Sequence, residues 1–397
     1  MDTKTLLEWS AKYHTPNYGS RAPIVLVRGD GVRVWDTEGR EYLDFGAGIA
    51  VTSLGHCHPR VTGAIQEAAA TLLHVSNLYH AAPQIHLAKL LIEHSFADRV
   101  FFSNSGAEAN EAALKVARKY ARERIASDRV EFVATRNSFH GRTFAALAAT
   151  GQEKYQHGFE PLVPGFKHVP YNDLRAMEPG IDNRTAGVIV ECIQGEGGVH
   201  LADDDYLRGL RKLCDQSGVL LIIDEIQTGV ARTGRLWAYQ HYGIEPDIMT
   251  LAKALANGVP IGAMLTREDI ASVLIAGTHG STFGGTPFVT SVALATMTTV
   301  LDGKLWEQAA QRGRYLMDGL RAIQASNPKV QVVRGRGLLI GAELSVPAGP
   351  IVDACREAGL LVLSAGEKVL RLTPPLIVAE RECEQALGII KTVLGRA

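Results

Sequence analysis

"GVLLIID", residues 218–224, is an unbroken apolar run closed by a carboxylate. A strand with one wet face alternates apolar and polar residues, whereas a strand covered on both faces does not. The run therefore predicts a buried strand. Four others read the same way: "VEFVAT" (130–135), "AGVIVEC" (186–192), "PDIMTLA" (246–252) and "IGAMLT" (261–266). Helical patterns separate them. In "EANEAALKVARKYARER" (108–124), Ala109, Ala113, Val116, Ala117 and Tyr120 share one face, with Lys115, Arg118, Lys119 and Arg122 on others. Alternating strands and helices predict an α/β domain with a large, mainly parallel sheet.

The ends differ from this middle. Residues 20–45 read as short strands with turns at "RGDG" and "DTEGR". Beyond residue 290, long helical patterns give way to "VRGRGLLIGAEL" (333–344) and "VLRLTPPL" (369–376), a small α+β domain. The expected division is an N-terminal segment, 1–55, joining the small domain; a large domain, 56–290; and a small C-terminal domain, 291–397. A length of 397 residues suffices for this. The formal net charge of −1 gives no reason to expect a nucleic-acid or acidic-membrane partner. No uncharged apolar run reaches membrane-spanning length. The opening "MDTKTLLEWSAKYH" lacks the apolar core of a signal peptide. Cys57, Cys192, Cys214, Cys355 and Cys383 form no CxxC pair and read as reduced thiols of a cytoplasmic protein.

Ligands of open α/β sheets sit at the carboxyl ends of strands, which is where Asp224 falls. A helix cap or turn residue is its competing reading. Lys253, in "LAKALANGVPIG" (251–262), has only uncharged neighbours from Ile248 to Thr266; taken alone it could be a solvated loop lysine. Together the two residues say more. A desolvated lysine has a lowered pKa and a nucleophilic amine that forms Schiff bases with aldehydes. Pyridoxal 5'-phosphate is the main biological aldehyde of this kind, and a buried aspartate keeps its ring nitrogen protonated. A phosphate anchor is available in "SNSGAEANEAALK" (103–115). There Ser105, Gly106 and Ala107 open a helix whose N–H groups can face an anion, although an ordinary helix cap would look the same. No GK[ST] follows, so this is not a Walker A loop, and no GxGxxG follows a strand.

The motifs "SGAEANEAALKVAR", "FHGRT", "IQGEGGV", "LIIDEIQTGVARTG", "LAKALANGVPIG" and "STFGGTPF" occur in this order, with "RGDGVRVWDTEGREYLDFGAGIAV" and "LGHCHP" near the start. The combination resembles the class III (ω-amino-acid) aminotransferases, pyridoxal-phosphate enzymes of fold type I, over nearly the whole chain. The resemblance implies Lys253 as the Schiff-base lysine and Asp224 as the ring-nitrogen partner. It implies Gln227 near the phenolic oxygen, Ile226 and Phe139 on the two ring faces, and Ser105, Gly106 and Ala107 around the phosphate. Thr282 would reach the phosphate from a partner subunit, which implies a homodimer with shared active sites. Ser281 and Tyr18 would approach the substrate. Arg142 would hold a remote carboxylate and Arg371 the carboxylate beside the keto group. Glu196 would mask Arg371 while an ω-amine occupies the site. The family carries "GHCHP" without a metal, and its adjacent residues cannot easily converge on one tetrahedral ion; no metal is expected. "DDD" (203–205) reads as a helix start.

The expected reaction is ping-pong transamination of N2-acetyl-L-ornithine with 2-oxoglutarate. It would give N-acetyl-L-glutamate 5-semialdehyde and L-glutamate, a step of arginine biosynthesis. Ornithine enzymes of the family place a tyrosine close to where Ile49 falls. Ile49 cannot hydrogen-bond a free α-ammonium, and acetylation removes that charge. Free ornithine, succinylornithine, N-succinyl-diaminopimelate and 4-aminobutyrate stay open as donors. A cofactor-binding regulator on the same fold is the non-enzyme alternative, and it would usually carry an additional DNA-binding domain. Here there is neither a basic helix-turn-helix segment nor spare length for one.

Overall fold

The computed structural model describes residues 2–19 and 21–396. Strands β1 (Leu26–Asp30), β2 (Arg33–Asp36) and β3 (Glu41–Asp44) form an antiparallel meander. The chain then makes β4 (Arg99–Ser103), β5 (Glu131–Thr135), β6 (Phe166–Val169) and β7 (Thr185–Glu191). A short hairpin follows, β8 (Ile193–Gln194) with β9 (His200–Leu201), and then β10 (Leu220–Asp224), β11 (Ile248–Leu251) and β12 (Gly262–Thr266). Seven of these form one sheet in the order β4-β12-β11-β10-β7-β5-β6. The pairs from β11 to β6 are parallel. β12 runs antiparallel to both β11 and β4.

All five apolar runs are strands of this sheet. Every residue of β7, β10, β11 and β12 is buried, which is why none of them alternates. The sheet's two outer strands, β4 and β6, escape that pattern because they are only partly covered: Arg99 is exposed and β6 is half-buried throughout. The helix Gly106–Arg124 is capped by the Ser105 side chain, which accepts from the Glu108 N–H. Its buried face includes Ala109, Ala113, Val116 and Ala117. The acidic triplet does open a helix, Asp204–Ser217, with Asp203 as its cap.

The helices Pro287–Asp302 and Leu305–Ser326 lead to a second, antiparallel sheet. Its strands are β13 (Val330–Arg336), β14 (Leu339–Leu344), β16 (Leu363–Ala365) and β17 (Val369–Leu372), in the order β13-β14-β17-β16. The intervening β15 (Leu360–Leu361) instead pairs in parallel with β3, joining the N-terminal meander to the C-terminal part of the chain. Among the described residues, no helix is long and apolar enough to cross a membrane.

Candidate active site

The carboxyl ends of five strands converge on one cavity of about 400 Å³. The turn after β4 brings Ser105, Gly106 and Ala107; the loop after β5 brings Phe139, His140 and Arg142. β7 ends in Glu191 and leads to Glu196. β10 ends in Asp224 and leads to Ile226 and Gln227, and Lys253 follows β11. Close approach favours small residues where these loops meet. A Cβ on Gly106 would lie 2.8 Å from Ile226 Cδ1, and one on Gly262 would lie 2.2 Å from the Ser105 carbonyl oxygen.

Lys253 sits in the left-handed region at φ +43°, a conformation that costs energy in a non-glycine residue and clusters at functional sites. Its amine has no hydrogen bond or ion pair among the described residues. Burial lowers its pKa; the charge of Glu196 opposes this and that of Arg371 adds to it. Asp224 is 4% exposed. Its Oδ2 accepts from Asn110 Nδ2 and His140 Nδ1, both at 2.8 Å, and its Oδ1 accepts from the Ile226 N–H at 3.0 Å. Asn110 is held in turn by Thr250 Oγ1 at 2.8 Å and by the His140 carbonyl at 2.7 Å. Among the described residues, His140 Nε2 is buried without a partner.

Arg371 is 2% exposed and reaches across from β17. Its Nη1 donates to Glu196 Oε1 at 2.6 Å, to the Gly195 carbonyl at 2.9 Å and to Gln227 Oε1 at 3.3 Å. Gln227 Nε2 donates to the same Glu196 oxygen at 3.0 Å. Burial would raise the pKa of Glu196, but the charges of Arg371 and Lys253 and these hydrogen bonds outweigh it and lower it. Glu191 lies opposite Asp224 in the β7–β10 register and accepts from the Phe139 N–H at 3.1 Å. Burial, then the charge of Asp224, pushes its pKa well up. At the mouth, the exposed Arg142 guanidinium lies 3.8 Å from the Tyr155 ring centroid and 5.4 Å from that of Phe139.

Glu225, beside Asp224, points into the core, where its carboxyl accepts from Thr228 Oγ1 at 2.6 Å and the Tyr239 N–H at 2.8 Å. Burial raises its pKa to about 7. The folded state thus holds this proton more tightly than the unfolded chain, where the value is about 4.3. The resulting stabilisation is full below that value and is lost as pH rises through about 7. It is on the order of 3 kcal/mol. Glu225→Gln, melted from pH 4.5 to 8, should show a flatter fall in Tm than the native protein; an identical slope refutes the assignment.

Ten of the residues singled out in the sequence line this cavity: Ser105, Gly106, Ala107, Phe139, Arg142, Glu196, Asp224, Ile226, Gln227 and Lys253. Arg371 joins them through Glu196. Ser281 and Thr282 do not line it; they border a separate depression with Ser76, Asn77 and Phe102, although Asn104 Nδ2 donates to Ser281 Oγ at 3.0 Å. Tyr18 is 75% exposed on the turn Pro16–Tyr18 and also lies outside the lining. Sequence reasoning passed over Asn110, His140, Thr250 and Glu191. Glu191 carried the same signal as Asp224, a carboxylate closing an apolar strand. Asn110 is a polar residue within the apolar stripe of its helix.

The arrangement has what pyridoxal 5'-phosphate requires. Lys253 is a desolvated amine without a partner among the described residues, Asp224 is a buried and oriented carboxylate, and small residues open a helix whose first N–H groups have no intrahelical acceptor. Fold and site together define a pyridoxal-phosphate transferase of fold type I. The family model "Aminotransferase class-III" matches residues 15–394, and the chain belongs to that family of pyridoxal-phosphate-dependent aminotransferases. It is 49% identical over 391 residues to an acetylornithine aminotransferase of Caldanaerobacter subterraneus, covering 98% of this chain and 99% of that one. Two solved structures are each 38% identical. A Toxoplasma gondii ornithine aminotransferase, with partial occupancy of PLP at its active site, superposes with a TM-score of 0.94 over 98% of this chain and 94% of that one. The Stenotrophomonas maltophilia N-acetylornithine aminotransferase does so at 0.84, over 96% and 98%.

Proposed function

We propose that this enzyme transfers the δ-amino group of N2-acetyl-L-ornithine to 2-oxoglutarate, in two half-reactions through one site. The observation that carries the reading is the Arg371–Glu196 pair beside Lys253. A donor whose reacting amine is remote from its carboxylate leaves Arg371 without an anion, and Glu196 supplies one. A 2-oxo acid brings its own carboxylate to that place, so Glu196 must release Arg371. A bidentate arginine–carboxylate contact then orients the keto group. Arg142, steadied by Tyr155, is placed at the mouth for the remote carboxylate common to both substrates.

Bound pyridoxal 5'-phosphate supplies an aldehyde that carries the amino group and a protonated ring that draws electrons from the reacting carbon. Lys253 would hold the aldehyde carbon and, once released, move a proton to and from the substrate carbon through Nζ. Asp224 would keep the proton on the ring nitrogen, oriented by Asn110 and His140. Ile226 and Phe139 would flank the ring, Gln227 would face its phenolic oxygen, and Ser105, Gly106 and Ala107 would hold the phosphate. Thr282 would complete the phosphate site of a second copy, with Ser281 and Tyr18 near the substrate. Exposed Leu72, Leu73, Leu78, Tyr79 and Phe283 lie in the segments around Thr282, as an interface between two copies requires. The free cysteines, four of them buried, fit a cytoplasmic enzyme.

The acetyl group is favoured by the Caldanaerobacter relative, 49% identical against 38% for the ornithine enzyme, and by the mouth of the site. Ile49 lies on a left-handed turn leading to Val51, which lines the cavity. Apolar side chains there offer nothing to a free α-ammonium. With 2-oxoglutarate as acceptor, kcat/KM should be at least about tenfold higher for N2-acetyl-L-ornithine than for L-ornithine. A preference for L-ornithine overturns the choice of donor.

A further inference from the structure

Arg232 is a wholly buried guanidinium with no carboxylate paired to it among the described residues. Its Nη1 donates to the carbonyls of Pro374 at 2.5 Å and Leu338 at 3.2 Å, and its Nη2 donates to Ser53 Oγ at 2.8 Å. Nε has no partner. Burial pulls its pKa down to about 9, which leaves it charged at neutral pH. A cation facing only neutral oxygens is an expensive thing to bury. The chain bends to place it there: Val230 and Ala231 both have left-handed φ, at 52° and 70°.

Its three acceptors lie on three segments that lead to the cavity. Pro374 follows β17, which carries Arg371. Leu338 precedes β14, where Gly341 is the register partner of Arg371. Ser53 stands two residues after Val51 at the cavity wall. Arg232 itself lies on the loop that begins with Asp224 and Gln227, and its carbonyl accepts from the Leu338 N–H at 2.9 Å. The tie thus spans the same join as the Arg371–Gln227–Glu196 cluster.

We propose that Arg232 is a positioning residue that sets the Arg371 guanidinium against Gln227 and Glu196, and through it the affinity for the acceptor's carboxylate. This rests on the reading of Arg371 as the clamp for the carboxylate beside the keto group. Lysine keeps the charge, but its three N–H groups leave from one nitrogen and cannot reproduce the planar fork whose two terminal nitrogens reach oxygens on separate segments. In the holoenzyme, Arg232→Lys should raise KM for 2-oxoglutarate about tenfold and KM for N2-acetyl-L-ornithine less than about threefold, a difference of at least ~0.7 kcal/mol between the two sites. A purely structural role would lower Tm and move both KM values together, or neither; either result overturns the proposal. Arg371→Lys is the control: if it leaves KM for 2-oxoglutarate unchanged, the clamp reading fails and takes the proposal with it. Should Arg232→Lys not fold, Ser53→Ala removes one hydrogen bond from the same guanidinium. It should shift the KM ratio in the same direction about two- to threefold, and an unchanged ratio overturns the proposal.

Discussion

Lys253→Ala holoenzyme should turn over at less than about 10⁻⁴ of the native rate. General acid–base catalysis by a positioned side chain contributes about 10² to 10⁴ in rate, and this lysine is assigned both that role and the covalent attachment of the cofactor. Among the described residues lining the cavity, no second lysine stands beside it. The control is favourable. Alanine meets much the same backbone penalty at φ +43° as lysine does, and the lost amine had no hydrogen bond to forfeit. Tm should therefore stay close to native while turnover disappears, and the variant, unlike the native holoenzyme with its covalently held cofactor, should lose its colour on exhaustive dialysis. Retained multiple turnover would sink the assignment.

The second large effect is at Asp224. Asp224→Ala should cut kcat about 10³-fold while cofactor binding is only partly weakened, because the phosphate site proposed at Ser105–Ala107 is untouched. An electrostatic partner aimed at charge that develops during reaction is worth about 10² to 10³ in rate. Alanine also leaves the Asn110 and His140 donors unmatched in the core, at roughly 1–3 kcal/mol each. Asp224→Asn separates the two effects: it keeps the shape and some hydrogen bonding but loses the charge, so kcat should fall similarly with a smaller loss of Tm. Single-turnover rates with N2-acetyl-L-ornithine, compared with melting curves, measure both. A near-native rate in either variant would mean that the ring nitrogen has another partner.

The two residues on which these predictions turn were legible before any coordinates. Asp224 closes an apolar strand and Lys253 follows another, and both signals are local. Glu191 shows that the same signal was present once more and went unread, because nothing in "AGVIVEC" says that its carboxylate faces the same cavity. Asn110 and Thr250 were invisible for a related reason. A buried polar residue in a helix or strand becomes informative only when its hydrogen-bond partner is known, and theirs are distant in the chain: Asp224 for Asn110, and Asn110 for Thr250.

By itself, the sequence determined the kind of sheet, five of its strands, the helix that begins at Gly106, and the family. Those follow from burial period and from motifs read within a few residues of one another. Tertiary structure decided which way β12 runs, what Arg371 and Gln227 touch, and that Arg232 is buried against Ser53, Leu338 and Pro374. It also separated Thr282 and Tyr18 from the cavity of their own chain. These are contacts between segments far apart in the chain: Arg371 and Gly195 are 176 residues apart, and Arg232 and Ser53 are 179. Periodicity records how a residue is covered, not by what. The partner is chosen when the loops at the carboxyl edge of one sheet close against the strands of another.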